Sequence, residues 1–161
     1  MAKKPAAGTP ATAVLSDQRI EHTLHPYDVS SDAPNYGALV AQALGIGPER
    51  VFKTLIAEVD GKLVVGVVPV TGDLDLKALA GAAGGKRAAL ADRAAAERSS
   101  GYVRGGISPL GQRKRLPTVV DDSALALDQM FISAGRRGLQ VALAPADLIR
   151  LTEAVTAAIR T

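Results

Sequence analysis

The side chain best placed for chemistry on an anion is Lys53, in the run VFKTLIAEV at residues 51–59. Strand-forming Val51, Phe52, Leu55, Ile56 and Val59 surround it. On a strand, Val51, Lys53, Leu55, Ala57 and Val59 share one face, and Phe52, Thr54, Ile56 and Glu58 share the other. Lys53 is then the only charge on the more apolar face. Two readings stay open. The ammonium can snorkel to water from a strand end. Or it stands at a pocket mouth, where a poorly solvated ammonium would meet a phosphate, a carboxylate or a carbonyl oxygen.

A second candidate is GYVRGGISPLGQ, residues 101–112. Adjacent glycines before Ile-Ser-Pro suit a tight loop whose amides approach a ligand closely, as an anion or oxyanion nest. The run is neither a Walker loop, lacking the Gly-Lys-Ser/Thr ending, nor a dinucleotide fingerprint. An ordinary connecting loop explains it equally well. A third is ISAGRRGL, residues 132–139, where Ser133 offers a hydroxyl and Arg136 and Arg137 offer phosphate contacts. A basic turn between strands is the alternative.

Other constellations are weak. The chain has no Cys, so disulfides, thiolate nucleophiles and thiolate metal sites are excluded. His22 and His25 fall on opposite faces of a strand and have no evident third ligand, so no metal site is expected. No G-x-S-x-G elbow is present. Asp121 and Asp122 follow a strand-like run and read as a turn or helix cap. An enzyme built from these parts would depend on positioning and backbone donors rather than on a nucleophile–base pair.

These groups must be held by local elements, and several are legible. Thr9-Pro10 reads as the cap and first turn of a helix running to about Arg19. A strand ends near Pro26. Tyr36, Leu39, Val40, Ala43 and Leu44 form one stripe of a helix that Gly45 can end. VFKTLIAEV and KLVVGVVPV flank Asp60-Gly61, a favoured hairpin turn, and the second run, apolar on both faces, reads as a central strand. DLDLKALAGAAGG reads as a short capped helix, RAALAD as a short strand, and 92–99 as a further helix. Strands are expected at 118–121, 130–133 and 139–143. Leu148, Leu151, Val155 and Ile159 predict a final amphipathic helix over PADLIRLTEAVTAAIR, residues 145–160. Hairpins and helix-separated strands together predict one mixed α/β domain, with a mixed sheet or partial barrel rather than a doubly wound parallel sheet.

The 161 residues are 47% hydrophobic and 22% charged, which suits a folded domain. Aromatics are only 3%, so the core must come from Ala, Val, Leu and Ile. Residues 1–80 hold seven basic and nine acidic side chains, and residues 81–161 hold twelve and seven. Arg98, Arg104, Arg113, Lys114 and Arg115 lie in a stretch from 98 to 120 with no acid. That patch suggests an anionic partner such as nucleic acid, or else a solvated basic loop. No apolar run approaches the ~20 residues of a membrane span, and no signal peptide is evident. Residues 1–8 are expected to be a flexible tail, residues 9–161 the domain, and the protein cytoplasmic.

Taken together, LHPYD (24–28), NYG (35–37), RVFKTL (50–55), GYVRGGISPLGQRKRLPTVVD (101–121) and SAGRRGLQV (133–141) resemble the YbaK/ProX family of aminoacyl-tRNA deacylases, relatives of the prolyl-tRNA synthetase editing domain. The resemblance covers the chain from about residue 10 and is nearer the branch that clears Cys from tRNA(Pro) than those that clear Ala. It implies a mixed barrel-like sheet surrounded by helices. It implies cleavage of the aminoacyl ester at the 3′-terminal adenosine of tRNA, with the substrate thiol itself as attacking group. It implies no metal or organic cofactor. Aminoacyl-tRNA, specifically tRNA(Pro), is the implied partner, with prolyl-tRNA synthetase as a second. By position in the motifs, Lys53 orients the substrate, with Thr54 beside it. Gly105, Gly106, Ile107, Ser108 and Pro109 form the loop facing the ester. Tyr27 and Tyr36 wall the pocket, Tyr36 standing where relatives often carry Phe. Ser133 contacts the nucleotide, and Arg136 and Arg137 steer phosphates. The alternatives are a deacylase for Ala or another small residue, a non-catalytic tRNA- or nucleotide-binding module on the same fold, or a basic protein whose patch binds partners such as a synthetase.

Overall fold

The structure is a computed structural model that describes residues 8–29, 33 and 35–161. Of the expected N-terminal tail, residues 1–7 lie outside the described residues. Along the chain come α1 (Pro10–Asp17), β1 (His22–Pro26), α2 (Tyr36–Leu44), β2 (Phe52–Val59), β3 (Lys62–Pro69), α3 (Leu76–Ala82), β4 (Ala88–Leu90), α4 (Arg93–Ser100), β5 (Thr118–Asp121), β6 (Met130–Arg136), β7 (Leu139–Leu143), α5 (Pro145–Thr152) and β8 (Val155–Ala157).

The hairpin organises the molecule. Asp60 and Gly61 both take positive φ, 49° and 85°, the conformation a two-residue turn needs to match strand twist. Val59 then pairs with Lys62 and Phe52 with Pro69. The Asp60 carboxylate accepts the amides of Lys86 at 2.9 Å and Arg87 at 3.0 Å, which brings β4 onto β2. The resulting five-stranded sheet has the order β4-β2-β3-β5-β8, with β3 in the middle as its all-apolar sequence predicts. The β3–β5 and β5–β8 pairs are parallel.

A second, three-stranded sheet, β1-β7-β6, is antiparallel throughout. The mixed α/β expectation holds, but the strands do not close into a barrel. Closure would need a continuous ladder between β2 and β6. Among the described residues the ladder is replaced by a single bridge, Val51–Phe131, just before β2, and β6 loses register at a bulge between Ser133 and Arg136.

Alternation along each strand sorts the core. Phe52, Ile56, Val65 and Val67 face Ile132, Ala134, Val141 and Leu143 between the sheets, sealed by Leu15 of α1 and Leu148 of α5. Ala57, Val59, Val64 and Val68 face Leu79 and Ala80 of α3 on the other side of the larger sheet. Phe131 and Ala142 face Val40 and Ala41 of α2 on the other side of the smaller one. No helix among the described residues is long and apolar enough to cross a membrane.

The final helix is shorter than its periodicity predicts. It stops at Thr152, Glu153 turns to φ 55°, and Val155–Ala157 joins the sheet beside β5. Two forces override the helical stripe. The buried Asp121 carboxylate accepts the amides of Ile159 at 2.9 Å and Arg160 at 3.1 Å. Ile159 becomes fully buried against the sheet, worth about 1.5–3 kcal/mol, while Val155 is left in an extended backbone that a β-branched residue favours.

Candidate active site

A cleft of about 1090 Å³ opens where the start of β2 passes the N-terminus of α2, the first turns of α4 and the loop after α4. β2 carries both Lys53 and Thr54 to it. Lys53 lies on the face of Leu55, Ala57 and Val59, as strand alternation predicts, opposite Val68 of the same apolar cluster. Its Nζ is 3.2 Å from Asp73 Oδ1, with side chains 34% and 86% exposed. A carboxylate so open to water holds the ammonium in place but contributes little stability. Asp73 itself is fixed through its backbone, whose carbonyl accepts the Thr161 amide at 2.8 Å.

The facing wall is backbone. Gly105 has φ +89°, a left-handed conformation that disfavours any side chain. At Gly106 a Cβ would lie 2.7 Å from Arg136 Cα and 2.9 Å from Arg137 N, so the loop is pressed directly onto the β6–β7 turn. The Gly106 amide donates to Val103 O at 2.9 Å, whereas those of Gly105 and Ile107 have no backbone acceptor among the described residues. Gly105 and Ile107 line the cleft. The loop's entry is latched by Glu97, whose Oε2 accepts the Arg104 amide at 2.9 Å and Arg93 Nε at 3.2 Å. The Arg104 amide, then the Arg93 guanidinium, hold this carboxyl below the ordinary glutamate value.

Not every loop residue reaches the cleft. Ser108 is fully buried, with its Oγ accepting the Leu110 amide at 3.2 Å. Pro109 lines a separate cavity of about 300 Å³ beside α1 and α5.

The remaining expected residues divide similarly. Tyr36 lines the cleft, and Tyr27 stands behind it with the two hydroxyls 2.5 Å apart. Burial, then the hydrogen bond with Tyr27, pushes the Tyr36 hydroxyl well above the ordinary tyrosine value, so it stays protonated at neutral pH. Ser133 lines the cleft while its Oγ accepts the Gly135 amide at 3.1 Å. Arg137 lines the cleft; Arg136 is exposed outside it.

Several lining residues escaped the sequence reading: Asp73, Arg93, Glu97 and Gln140. Arg104, which also lines the cleft, enters that reading only as part of the basic stretch. Gln140 pairs across the sheet with both Ser133 and His25 and is 6% exposed. Its Oε1 and Thr54 Oγ1 are buried without a hydrogen-bond partner. Both atoms are shielded by surrounding protein, so a ligand's N–H or O–H could restore the lost bond only with a local shift of the cleft wall. The available signal was the one that exposed Lys53: a polar letter inside an apolar strand run, here LQVAL.

The chemistry this permits is binding and orientation. Lys53, Arg93, Arg104 and Arg137 outnumber Asp73 and Glu97 around the cleft, so an anion is favoured. No histidine lines it. His22 Nδ1 is 2.7 Å from Ile20 O and His25 Nε2 is 2.7 Å from Thr23 Oγ1. Among the described residues no three His, Asp or Glu side chains converge as metal ligands.

Comparison with known proteins adds three findings. Residues 33–151 match the model of the aminoacyl-tRNA editing domain. An Enterococcus faecalis protein named as a candidate Cys-tRNA(Pro)/Cys-tRNA(Cys) deacylase is 36% identical over 161 residues, covering 99% of this chain and 97% of its own. Among solved structures, one described as a candidate trans-editing enzyme for prolyl-tRNA synthetase superposes with TM-score 0.84 at 20% identity over 99% of both chains. Another, described only as hypothetical, gives 0.83 at 23% identity over 95% of this chain and 100% of its own.

Proposed function

This chain belongs to the aminoacyl-tRNA editing domain family, and we propose that it is a trans-acting deacylase that clears Cys from mischarged tRNA(Pro). The observation that carries the reading is that Lys53, Gly105 and Ile107 line one cationic cleft. An acylated tRNA end brings what such a cleft can use: phosphates for the cations, a ribose and an amine for unpaired acceptors, and an ester carbonyl for exposed amides. Editing of this kind is needed because a synthetase pocket discriminates poorly among small side chains.

Lys53 orients the terminal nucleotide, displacing Asp73 as its partner. The amides at Gly105 and Ile107 polarise the ester carbonyl, and the tight Gly105–Gly106 backbone limits the space for the side chain. Tyr36, backed by Tyr27, and Thr54 and Ser133 complete the pocket. Arg137 takes a phosphate, with Arg136 just outside. The substrate's own thiol supplies the nucleophile. Its sulfur bonds to the carbonyl carbon, the carbon–oxygen bond to the ribose breaks, and the ribose oxygen takes up the thiol proton, leaving a cyclic thiolactone. That route is supported by the lack of a histidine in the cleft to activate Ser133 or Thr54. Residues 9–161 act as one domain in the cytoplasm, with prolyl-tRNA synthetase as the partner that presents tRNA(Pro).

The test is loss of ester from tRNA(Pro) charged with Cys, Ala or Pro. Selective loss of Cys supports the proposal; preferential loss of Ala replaces Cys as the substrate. RNA binding without turnover leaves a binding module. Equal release of Ser and Cys esters would replace thiol attack with attack by water.

A further inference from the structure

Four cations of the acid-free stretch lie outside the cleft lining, and three of them have no ion pair among the described residues. Arg98, Arg113 and Lys114 are exposed, and none has a carboxylate within 4.0 Å among the described residues. Their neighbours are treated differently. Arg115 reaches Glu153 at 3.5 Å, Arg93 reaches Glu97 at 3.2 Å, and Arg150 reaches Asp147 at 3.0 Å. The three are also held close together. The Arg113 amide donates to Ser100 O at 2.9 Å and the Lys114 amide to Ser99 O at 3.0 Å, so residues 113–114 run against the end of α4. Arg113 Cβ lies 3.4 Å from where a Gly101 side chain would begin. The loop beneath is braced by Tyr102 Oη donating to Leu110 O at 2.7 Å and Gln112 Nε2 to Ser108 O at 3.0 Å. Like charges fixed side by side repel. The C-terminal end of the α4 dipole offsets part of that cost.

We propose that Arg98, Arg113 and Lys114 form a second phosphate-binding surface, which grips the tRNA body upstream of the acylated end. α4 supplies the geometry. Its first residue, Arg93, lines the cleft, and its last turn carries Arg98, so five residues separate the two by about 7.5 Å along the helix axis. An RNA strand with its 3′ end in the cleft must continue across a neighbouring surface, and its phosphates are a row of like charges suited to a row of unpaired cations. The inference rests on the proposed function only in placing the acylated end in the cleft.

The experiment measures binding of uncharged tRNA(Pro) and deacylation of Cys-tRNA(Pro) across a salt series, for wild type, Arg113→Gln/Lys114→Gln and Arg98→Gln. A short acylated fragment ending in the CCA sequence is the second substrate. Each lost phosphate contact should flatten the log affinity against log salt slope by about 0.7–0.9, so the double variant should lose roughly 1.4–1.8. Its KM for whole Cys-tRNA(Pro) should rise about tenfold with kcat unchanged, and the short fragment should be cleaved as before. Arg98→Gln should show about half the slope change. Unchanged slopes overturn the proposal and leave solvated charges. Equal losses on both substrates overturn it in favour of a role inside the site. A defect seen only when prolyl-tRNA synthetase is added reassigns the surface to a protein. If wild type cleaves no ester yet the binding slopes shift as stated, the deacylase reading fails and the surface stands.

Discussion

At the turn end of the β2–β3 hairpin both oxygens of the Asp60 carboxylate are answered, whereas at the open end one hydroxyl is unpaired and one charge is held only by an exposed partner. The Asp60 carboxylate receives two amides from the chain leading to β4. Some 20 Å along the same strand, Thr54 Oγ1 is buried without a partner and Lys53 leans on a carboxylate that is 86% exposed. One strand thus carries a satisfied end that fixes register and an unsatisfied end that waits for a ligand. Stability and binding are separated along its length, which leaves the open end free to carry polar groups that a closed core would penalise.

The strongest way to break that division is at the wall opposite Lys53. Gly106→Ala would drive a Cβ to 2.7 Å from the Arg136 backbone, which cannot rotate away. The loop must lift, costing about 1–3 kcal/mol in urea unfolding and, through misplaced Gly105 and Ile107 amides, about 10²-fold or more in kcat/KM. A variant with normal turnover would mean the wall is not part of the site. Lys53→Ala should come next. Deacylation should fall about 10²-fold, while stability should change by less than ~1 kcal/mol because the ion pair it breaks faces water. A comparable loss of stability would make Lys53 a structural residue and erase the contrast between the two ends.

Asp60→Asn probes the other end and should spare activity. Asparagine tolerates the same left-handed turn, so only the carboxylate is removed. The Lys86 and Arg87 amides hold Asp60 below its ordinary value of 3.8. Its stabilisation is therefore present above that value and disappears as the pH falls through the lower folded value. The urea midpoint of Asp60→Asn should lie below wild type at neutral pH, and the gap should close in acid, with unchanged deacylation at pH 7. A persistent gap at low pH would locate the stabilisation elsewhere.

What the sequence revealed follows the same line. The hairpin was legible because strand alternation and Asp60-Gly61 are local signals, and Lys53 because it violates a local pattern. Gln140 broke a similar pattern less loudly. A glutamine in an alternating strand reads as solvent-facing, and its burial to 6% exposure is set by tertiary packing that a local pattern does not report. Asp73 and Glu97 were invisible because an acid near a helix start or within a helix has many local explanations, and their partners are set by tertiary contact. Ser108 and Pro109 were grouped with Gly105 by their place in the motif of the resemblance, yet the loop turns them inward. The final helix was overextended because a period of 3.6 residues cannot register the Asp121 carboxylate waiting 38 residues upstream of Ile159.

The segment that displaced that helix also sets an order of events in time. Thr161 holds the loop bearing Asp73 from 88 residues downstream, and β8 seals the edge of the sheet that presents Lys53. At about 5–20 residues per second, translation separates the two by about 4–18 s. During that interval the nascent hairpin exists without its edge strand or the anchored carboxylate beside Lys53. A protein that polices aminoacyl esters is made on a ribosome surrounded by them, and its site is completed only after the β8 segment has emerged.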